Sequence, residues 1–298
     1  MSRRRIDRRW LLVLLGLAAV PAAIGFGKWR EGSNQGGQQP AEPFRIAGNL
    51  YYVGASDVTS FLLTGPQGHV LIDGGYPGTA PMIIASIARL GFDIRDVKVL
   101  LNSHAHFDHA GGLAALQKSS GAELWISEPE ADIVAAGGAG DPFLGPARFA
   151  LPILRYPAPR VDHRFKDGAT IRVGPVALTA HVTAGHTPGC TSWSIPLREG
   201  DRELLAVSVC SLGLPAALSL PGGPDAAIRA DFERSFRTLR SLPADIWVTA
   251  HGRKFGRYRK FRQRDTAKDP VEPFIDPAGY RAFIDSAEVD FRKLLADP

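Results

Sequence analysis

The chain has 298 residues, 45 % of them hydrophobic, with a formal net charge of +5 and two cysteines. That length and apolar content suit one large globular domain with its own core, and they exclude a disordered or low-complexity chain. Two cysteines exclude a disulfide-stapled miniature and a cysteine-rich zinc ribbon, so any metal must be held by His and carboxylates.

The charge is concentrated at the start. Arg3, Arg4, Arg5, Arg8 and Arg9, opposed by Asp7, carry four of the five net positive charges. The basic balance therefore belongs to a targeting segment and argues against a nucleic-acid partner. Residues 1–23 read as an export signal: a basic start, an apolar run from Trp10 to Val20, then small residues at Ala22 and Ala23. The run Asp7-Arg8-Arg9-Trp10-Leu11-Leu12 resembles a twin-arginine export motif. The other reading is an uncleaved membrane anchor, although the apolar run is shorter than the ~20 residues a span needs. Either way the rest of the chain is expected outside the cytoplasm, in the periplasm or secreted. Residues 24–43, rich in Gly, Gln and Pro, read as a flexible linker, and 44–298 as the folded domain.

Short strands are predicted at 50–53, 58–63 and 69–72, with the turn 65–68 between the last two. The spacing of Ile83, Ile87 and Leu90 predicts a helix over 79–90 that begins near Pro81 and ends at Gly91. A buried strand follows at 97–101, then a helix at 110–119, a strand at 124–126 and a helix at 128–136. Residues 137–163, rich in Gly and Pro, read as a long surface loop. Strands return at 170–173, 176–182, 191–195, 204–209 and 246–249, with helices at about 225–241 and 278–295. Strands followed by helices, twice over, predict two αβ halves packed sheet to sheet.

The chemistry is concentrated in Asn102-Ser103-His104-Ala105-His106-Phe107-Asp108-His109. Three of the chain's eight histidines lie here within six residues, beside a carboxylate, in a turn between a strand and a helix. His104 and His106 are two apart and project to the same side of extended backbone. Asp108 and His109 follow as the chain turns. Neutral imidazole and carboxylate are good zinc donors. His186, after strand 176–182, and His251, after strand 246–249, occupy similar strand-end positions. His69, His163 and His181 do not: His69 lies in a strand, His163 in a basic loop, and His181 faces away from its neighbour Val182. The run Arg253–Arg264 carries seven basic residues in twelve. Phe255, Tyr258 and Phe261 recur every third residue there, which reads as a packed helix face with the charges in solvent.

The His-x-His-x-Asp-His motif, with Gly185-His-Thr-Pro-Gly189 and Ala250-His-Gly252, resembles the metallo-β-lactamase superfamily over about residues 44–295. The resemblance implies an α/β fold, a four-layer αββα sandwich, with two zinc ions at one edge. It puts His104, His106 and His186 on one zinc and Asp108, His109 and His251 on the other. Many branches of that superfamily add an aspartate bridging both metals, yet no carboxylate occurs here between Glu203 and Asp225. With Val70-Leu-Ile-Asp-Gly-Gly75 and Pro273–Ala282, this resembles the third subclass of class B β-lactamases. The implied activity is hydrolysis of the β-lactam ring of small-molecule antibiotics by a metal-held hydroxide, with Asp108 as a ligand that also orients the nucleophile. The alternative is another zinc hydrolase of the same fold, such as a lactonase or phosphodiesterase.

The resemblance also gives roles to residues outside the ligand set. Ser211 lies where the subclass binds the substrate carboxylate, and Gly213 departs from the serine often found two residues on. Asp73 falls below the site, supporting the ligand loop. Cys190 and Cys210 are expected to form a disulfide: an exported chain favours oxidised pairs, and some members of the subclass join these positions. Otherwise Cys210 would be a zinc ligand, as in other subclasses. A monomer is expected, with the membrane involved only in export or as an anchor.

Overall fold

The computed structural model describes residues 37–140, 155–214 and 226–296. The export signal, most of the linker and much of the 137–163 loop lie outside them. The seven strands β1 (Phe44–Ala47), β2 (Leu50–Tyr52), β3 (Phe61–Leu63), β4 (His69–Ile72), β5 (Val97–Leu101), β6 (Glu123–Ser127) and β7 (His163–Phe165) form one sheet in chain order. It is antiparallel from β1 to β4 and parallel from β4 to β7. A five-stranded sheet has the order β12 (Ile246–Thr249), β11 (Arg202–Val209), β10 (Thr191–Glu199), β9 (Val176–Val182), β8 (Thr170–Val173). Only its β11–β12 pair is parallel.

Alternation along the strands sorts the side chains into layers. In the first sheet Phe61, Leu63, Val70, Ile72, Val99 and Leu101 join the core that also holds Leu178, Trp193, Ile195 and Ala206 of the second sheet. Their neighbours Leu62, Leu71 and Leu100 point the other way. They pack with Ile83 and Ile87 of helix α1 (Ala80–Arg89) and with Leu113 and Leu116 of helix α3 (Leu113–Ser120). On the far face of the second sheet lie helices α5 (Ala226–Ser241) and α7 (Pro277–Ala296). Phe291 of α7 stacks on Phe232 of α5 with ring centroids 4.7 Å apart, and Phe283 stacks on Trp247 of β12 at 5.0 Å. The result is helix, sheet, sheet, helix, the αββα sandwich.

Several elements differ from the sequence reading. The strand expected at 58–63 is confined to Phe61–Leu63. Residues 55–58 instead form a loop that takes isolated bridges from Pro40 and His251. Residues 37–43, read as linker, lie along that loop, with Ser56 N donating to Gln39 O at 2.8 Å. The helix expected at 110–119 is two, a single turn α2 (Phe107–Ala110) and then α3, because Gly111 and Gly112 press against Pro77 and Gly74. Helix α4 is short, Ala131–Ala135. His163 lies in β7, not in a loop; its ring stacks on Trp125 of β6 at 4.1 Å and its Nε2 is 3.1 Å from Glu123.

The basic run is a solvated face only in part: Arg253, Lys254, Arg259 and Arg262 are exposed. Within helix α6 (Arg257–Arg264), Arg257 and Lys260 are buried while Tyr258 is 64 % exposed. Lys260 Nζ donates to Asp276 at 3.0 Å and lies 5.3 Å from the Trp247 ring centre. Phe255 and Phe261 pack as expected, Phe255 ahead of the helix and Phe261 against the core.

Candidate metal centre

The turns after β4, β5, β9, β11 and β12 meet at one edge of the two sheets. After β5 the chain bends through His104 to His106, whose backbone is extended, and turns into α2, so two imidazoles precede the helical turn and Asp108 and His109 lie within it. Asp73, directly after β4, holds this segment from below. Its carboxylate accepts Ser103 N at 2.6 Å and Ser103 Oγ at 2.8 Å. Asp73 has φ of 64°, the only non-glycine residue in the left-handed region among those described. That turn carries Gly74 past His109, whose carbonyl accepts Gly74 N at 2.8 Å.

His104, His106 and His186 form one group whose donor atoms lie within 4.8 Å of one another, with His186 Nε2 3.1 Å from His106 Nδ1. Next to it, His109 Nε2 is 3.3 Å and His251 Nε2 is 3.9 Å from Asp108 Oδ2. The two groups adjoin: the His104 and His109 rings are 4.3 Å apart, and those of His109 and His251 are 5.1 Å apart. All six residues singled out from the sequence are therefore brought together.

Three of the imidazoles have one nitrogen hydrogen-bonded to the protein, and a fourth, His109, faces a carboxylate. His104 Nδ1 lies 3.0 Å from Ser103 Oγ, and His186 Nδ1 lies 2.5 Å from the Gly213 carbonyl. His109 Nδ1 is 3.4 Å from Asp73, and His251 Nδ1 is 3.2 Å from Asp57. Outer partners of this kind fix ring orientation and leave the other nitrogen for a metal. Electrostatics fit a cation as well. Burial, then crowding by the other imidazoles, pushes His104 well below its ordinary pKa, His186 down to about 3 and His251 to about 4. These rings are neutral donors near pH 7, the form a metal requires. Burial alone would raise the Asp108 carboxyl, but the His109, His106 and His251 imidazoles outweigh it and hold Asp108 well below the carboxylate range. Burial would lower His109, yet the carboxylates of Asp108 and Asp73 raise it to about 10. A divalent cation would supply the positive charge that this proton now supplies. The donor set fits zinc, with imidazole nitrogen and carboxylate oxygen and no thiolate.

Cys190 and Cys210 are disulfide-bonded, with Cα atoms 5.9 Å apart and a sequence separation of 20. Closing such a loop stabilises by roughly 3 kcal/mol in the chain-entropy model. The bond packs against the site, with Cys210 Sγ 3.8 Å from His104 Nδ1. Ser211 follows Cys210, half-buried, and lines a cavity of about 300 Å³ with Thr249, His251, Arg253 and Lys254. His181 is elsewhere, 2.9 Å from Ser194 Oγ, and His69 packs on Phe92.

Two supporting acids are absent from the sequence reading. Asp57 reaches His251 across 194 residues of sequence. Buried Glu130 accepts the Thr187 hydroxyl beneath the His186 turn. Each follows a short polar stretch with no local pattern, and only the fold brings it to its partner.

Comparison with known proteins agrees with this geometry. The model of the metallo-β-lactamase superfamily matches residues 53–200. The native FEZ-1 metallo-β-lactamase from Legionella gormanii superimposes with a TM-score of 0.82 at 34 % identity, covering 87 % of this chain and 97 % of that one. BJP-1, a subclass B3 metallo-β-lactamase of Bradyrhizobium japonicum, gives 0.78 at 34 % identity, covering 87 % and 96 %. Among curated sequences, the N-acyl homoserine lactonase AttM of Agrobacterium fabrum is 28 % identical over 62 % of this chain and 74 % of its own length. The chain spans 54 % and 44 % of the length of the first two curated relatives it matches.

Proposed function

This chain belongs to the metallo-β-lactamase superfamily of hydrolases, and from that membership we propose that it is a binuclear zinc enzyme that opens the β-lactam ring. The observation that carries the reading is the pairing of two adjoining donor groups, one of three imidazoles and one of two imidazoles with a carboxylate. Likeness at 34 % identity to metallo-β-lactamases, over nearly their whole length, supports the lactam as substrate.

His104, His106 and His186 would hold one zinc, and Asp108, His109 and His251 the other. When bound, zinc supplies Lewis acidity and a water acidic enough to ionise near neutral pH. Asp108, kept ionised by its imidazole neighbours, can orient the attacking water through its carboxylate. Ser211 Oγ is available to donate to the substrate carboxylate from the wall beside His251. No side-chain nucleophile is required, so serine-directed β-lactamase inhibitors should leave the activity intact. The disulfide suits an oxidising compartment, and we infer export to the periplasm or beyond. Among the described residues, no helix is long and apolar enough to cross a membrane.

A second reading, lactonase, is favoured by the curated relatives of that activity. Side-by-side rates for a penicillin, a cephalosporin, a carbapenem and an acyl homoserine lactone decide between them. We expect at least one lactam to be turned over at least tenfold faster than the lactone. A lactone faster than all three lactams would overturn the proposal in favour of the second reading.

A further inference from the structure

Asp57 sits in the loop between β2 and β3 and is 5 % exposed. A buried carboxylate is costly unless donors surround it, and here three converge. His251 Nδ1 is at 3.2 Å, Arg253 N at 2.8 Å, and the Arg253 guanidinium bonds the same oxygen as His251. The backbone repeats the attachment. Gly252 N donates to the Asp57 carbonyl at 2.6 Å, Thr59 N donates to Ala250 O at 3.2 Å, and Val58 bridges His251. The loop thus grips the 250–253 turn on both sides of His251.

An imidazole that gives its Nδ1 proton to a carboxylate keeps its lone pair on Nε2. That nitrogen faces Asp108, at 3.9 Å from Oδ2. We propose that Asp57 is a positioning residue that fixes the tautomer and orientation of His251 as a ligand of the second zinc, with Arg253 balancing its charge. The inference rests on the two-zinc reading above. It also marks an asymmetry. His109 and His251 are backed by carboxylates, Asp73 and Asp57. His104 and His186 are backed by a hydroxyl and a carbonyl. Loss of Asp57 should therefore weaken one zinc and spare the other.

The test uses the full zinc-loaded chain and its Asp57→Asn and Asp57→Ala variants, titrated against a chromophoric chelator. The parent should release two zinc equivalents in separable steps. Each variant should keep one at parental affinity and hold the other 10–100-fold more weakly, with kcat reduced and KM little changed. Asp57→Asn preserves side-chain volume and carries the test if the alanine variant does not fold. Arg253→Ala leaves the Asp57–His251 contact in place and should move the weaker equivalent far less. Two equivalents at parental affinity in Asp57→Asn would overturn the inference alone. So would a parallel loss of both with a lowered melting temperature, the mark of a merely structural role. A parent that binds fewer than two zinc ions would overturn the two-zinc reading and this inference with it.

Discussion

Asp73 holds both polar groups of Ser103, accepting the backbone N–H at 2.6 Å and the hydroxyl at 2.8 Å, and so ties the end of β4 to the residue immediately before His104. Both residues are buried, so removal of the carboxylate leaves two donors unsatisfied. Asp73→Ala should cost about 3 kcal/mol in denaturant unfolding. Asp73→Asn should cost less, because asparagine tolerates the left-handed backbone and keeps one acceptor. Equal stability of Asp73→Ala and parent would remove this account of the turn.

Zinc content separates ligands from bystanders. His186→Ala should lose about one equivalent and nearly all activity, since its Nε2 lies in the group with His104 and His106. His181→Ala and His163→Ala should retain both equivalents, because their rings engage Ser194, and Glu123 with Trp125. Loss of a full equivalent in either control would show the ligand set to be wrong.

Much of this site is legible in sequence because its ligands sit at strand ends with small neighbours. Strands 69–72, 176–182 and 246–249 coincide with the observed β4, β9 and β12. Short elements that depend on a distant partner are not legible. β1 and β7 have four and three residues, too few for a period, and β7 is defined by its register with Trp125. Arg257 and Lys260 read as solvated charges because the groups that bury them, the Tyr52 ring and Asp276, are remote in sequence. Asp57 is hidden for the same reason.

Backbone proximity at the ligand turn gives a paired test. A Cβ on Gly112 would lie 2.2 Å from the Gly74 carbonyl oxygen, which has no side-chain freedom with which to move. Gly112→Ala should cost about 3 kcal/mol and weaken zinc binding, since the same turn carries His109. Gly78 meets nothing within 4 Å, and Gly78→Ala should change stability by less than about 0.5 kcal/mol. Similar melting temperatures for the two variants would contradict this packing.

Acid sensitivity should arise partly far from the site. Glu199 at the end of β10 accepts Arg45 Nη1 at 2.6 Å and Gly48 N at 2.5 Å, clamping the β1–β2 turn to the second sheet. The hydrogen bond from Arg45 is the main cause that lowers its pKa from 4.5. A folded-state pKa below the unfolded one gives stability that is present above pH 4.5 and lost as pH falls through the lowered value. Glu199→Gln should therefore cost about 1 kcal/mol at pH 7, given the partial exposure of Arg45, and almost nothing near pH 2. A difference that is unchanged across that range would exclude the ionic contribution.

Loaded with zinc, this donor cluster is expected to hydrolyse β-lactams. The direct measurement is the rate on a chromogenic cephalosporin for the purified chain, after exhaustive dialysis against a chelator, and after return of two equivalents of zinc. Hydrolysis is expected in the first state, loss of at least about 99 % of it in the second, and recovery in the third only as the second equivalent is added. Hydrolysis that survives the chelator, or its absence in the fully zinc-loaded chain with a penicillin and a carbapenem as well, would contradict this expectation.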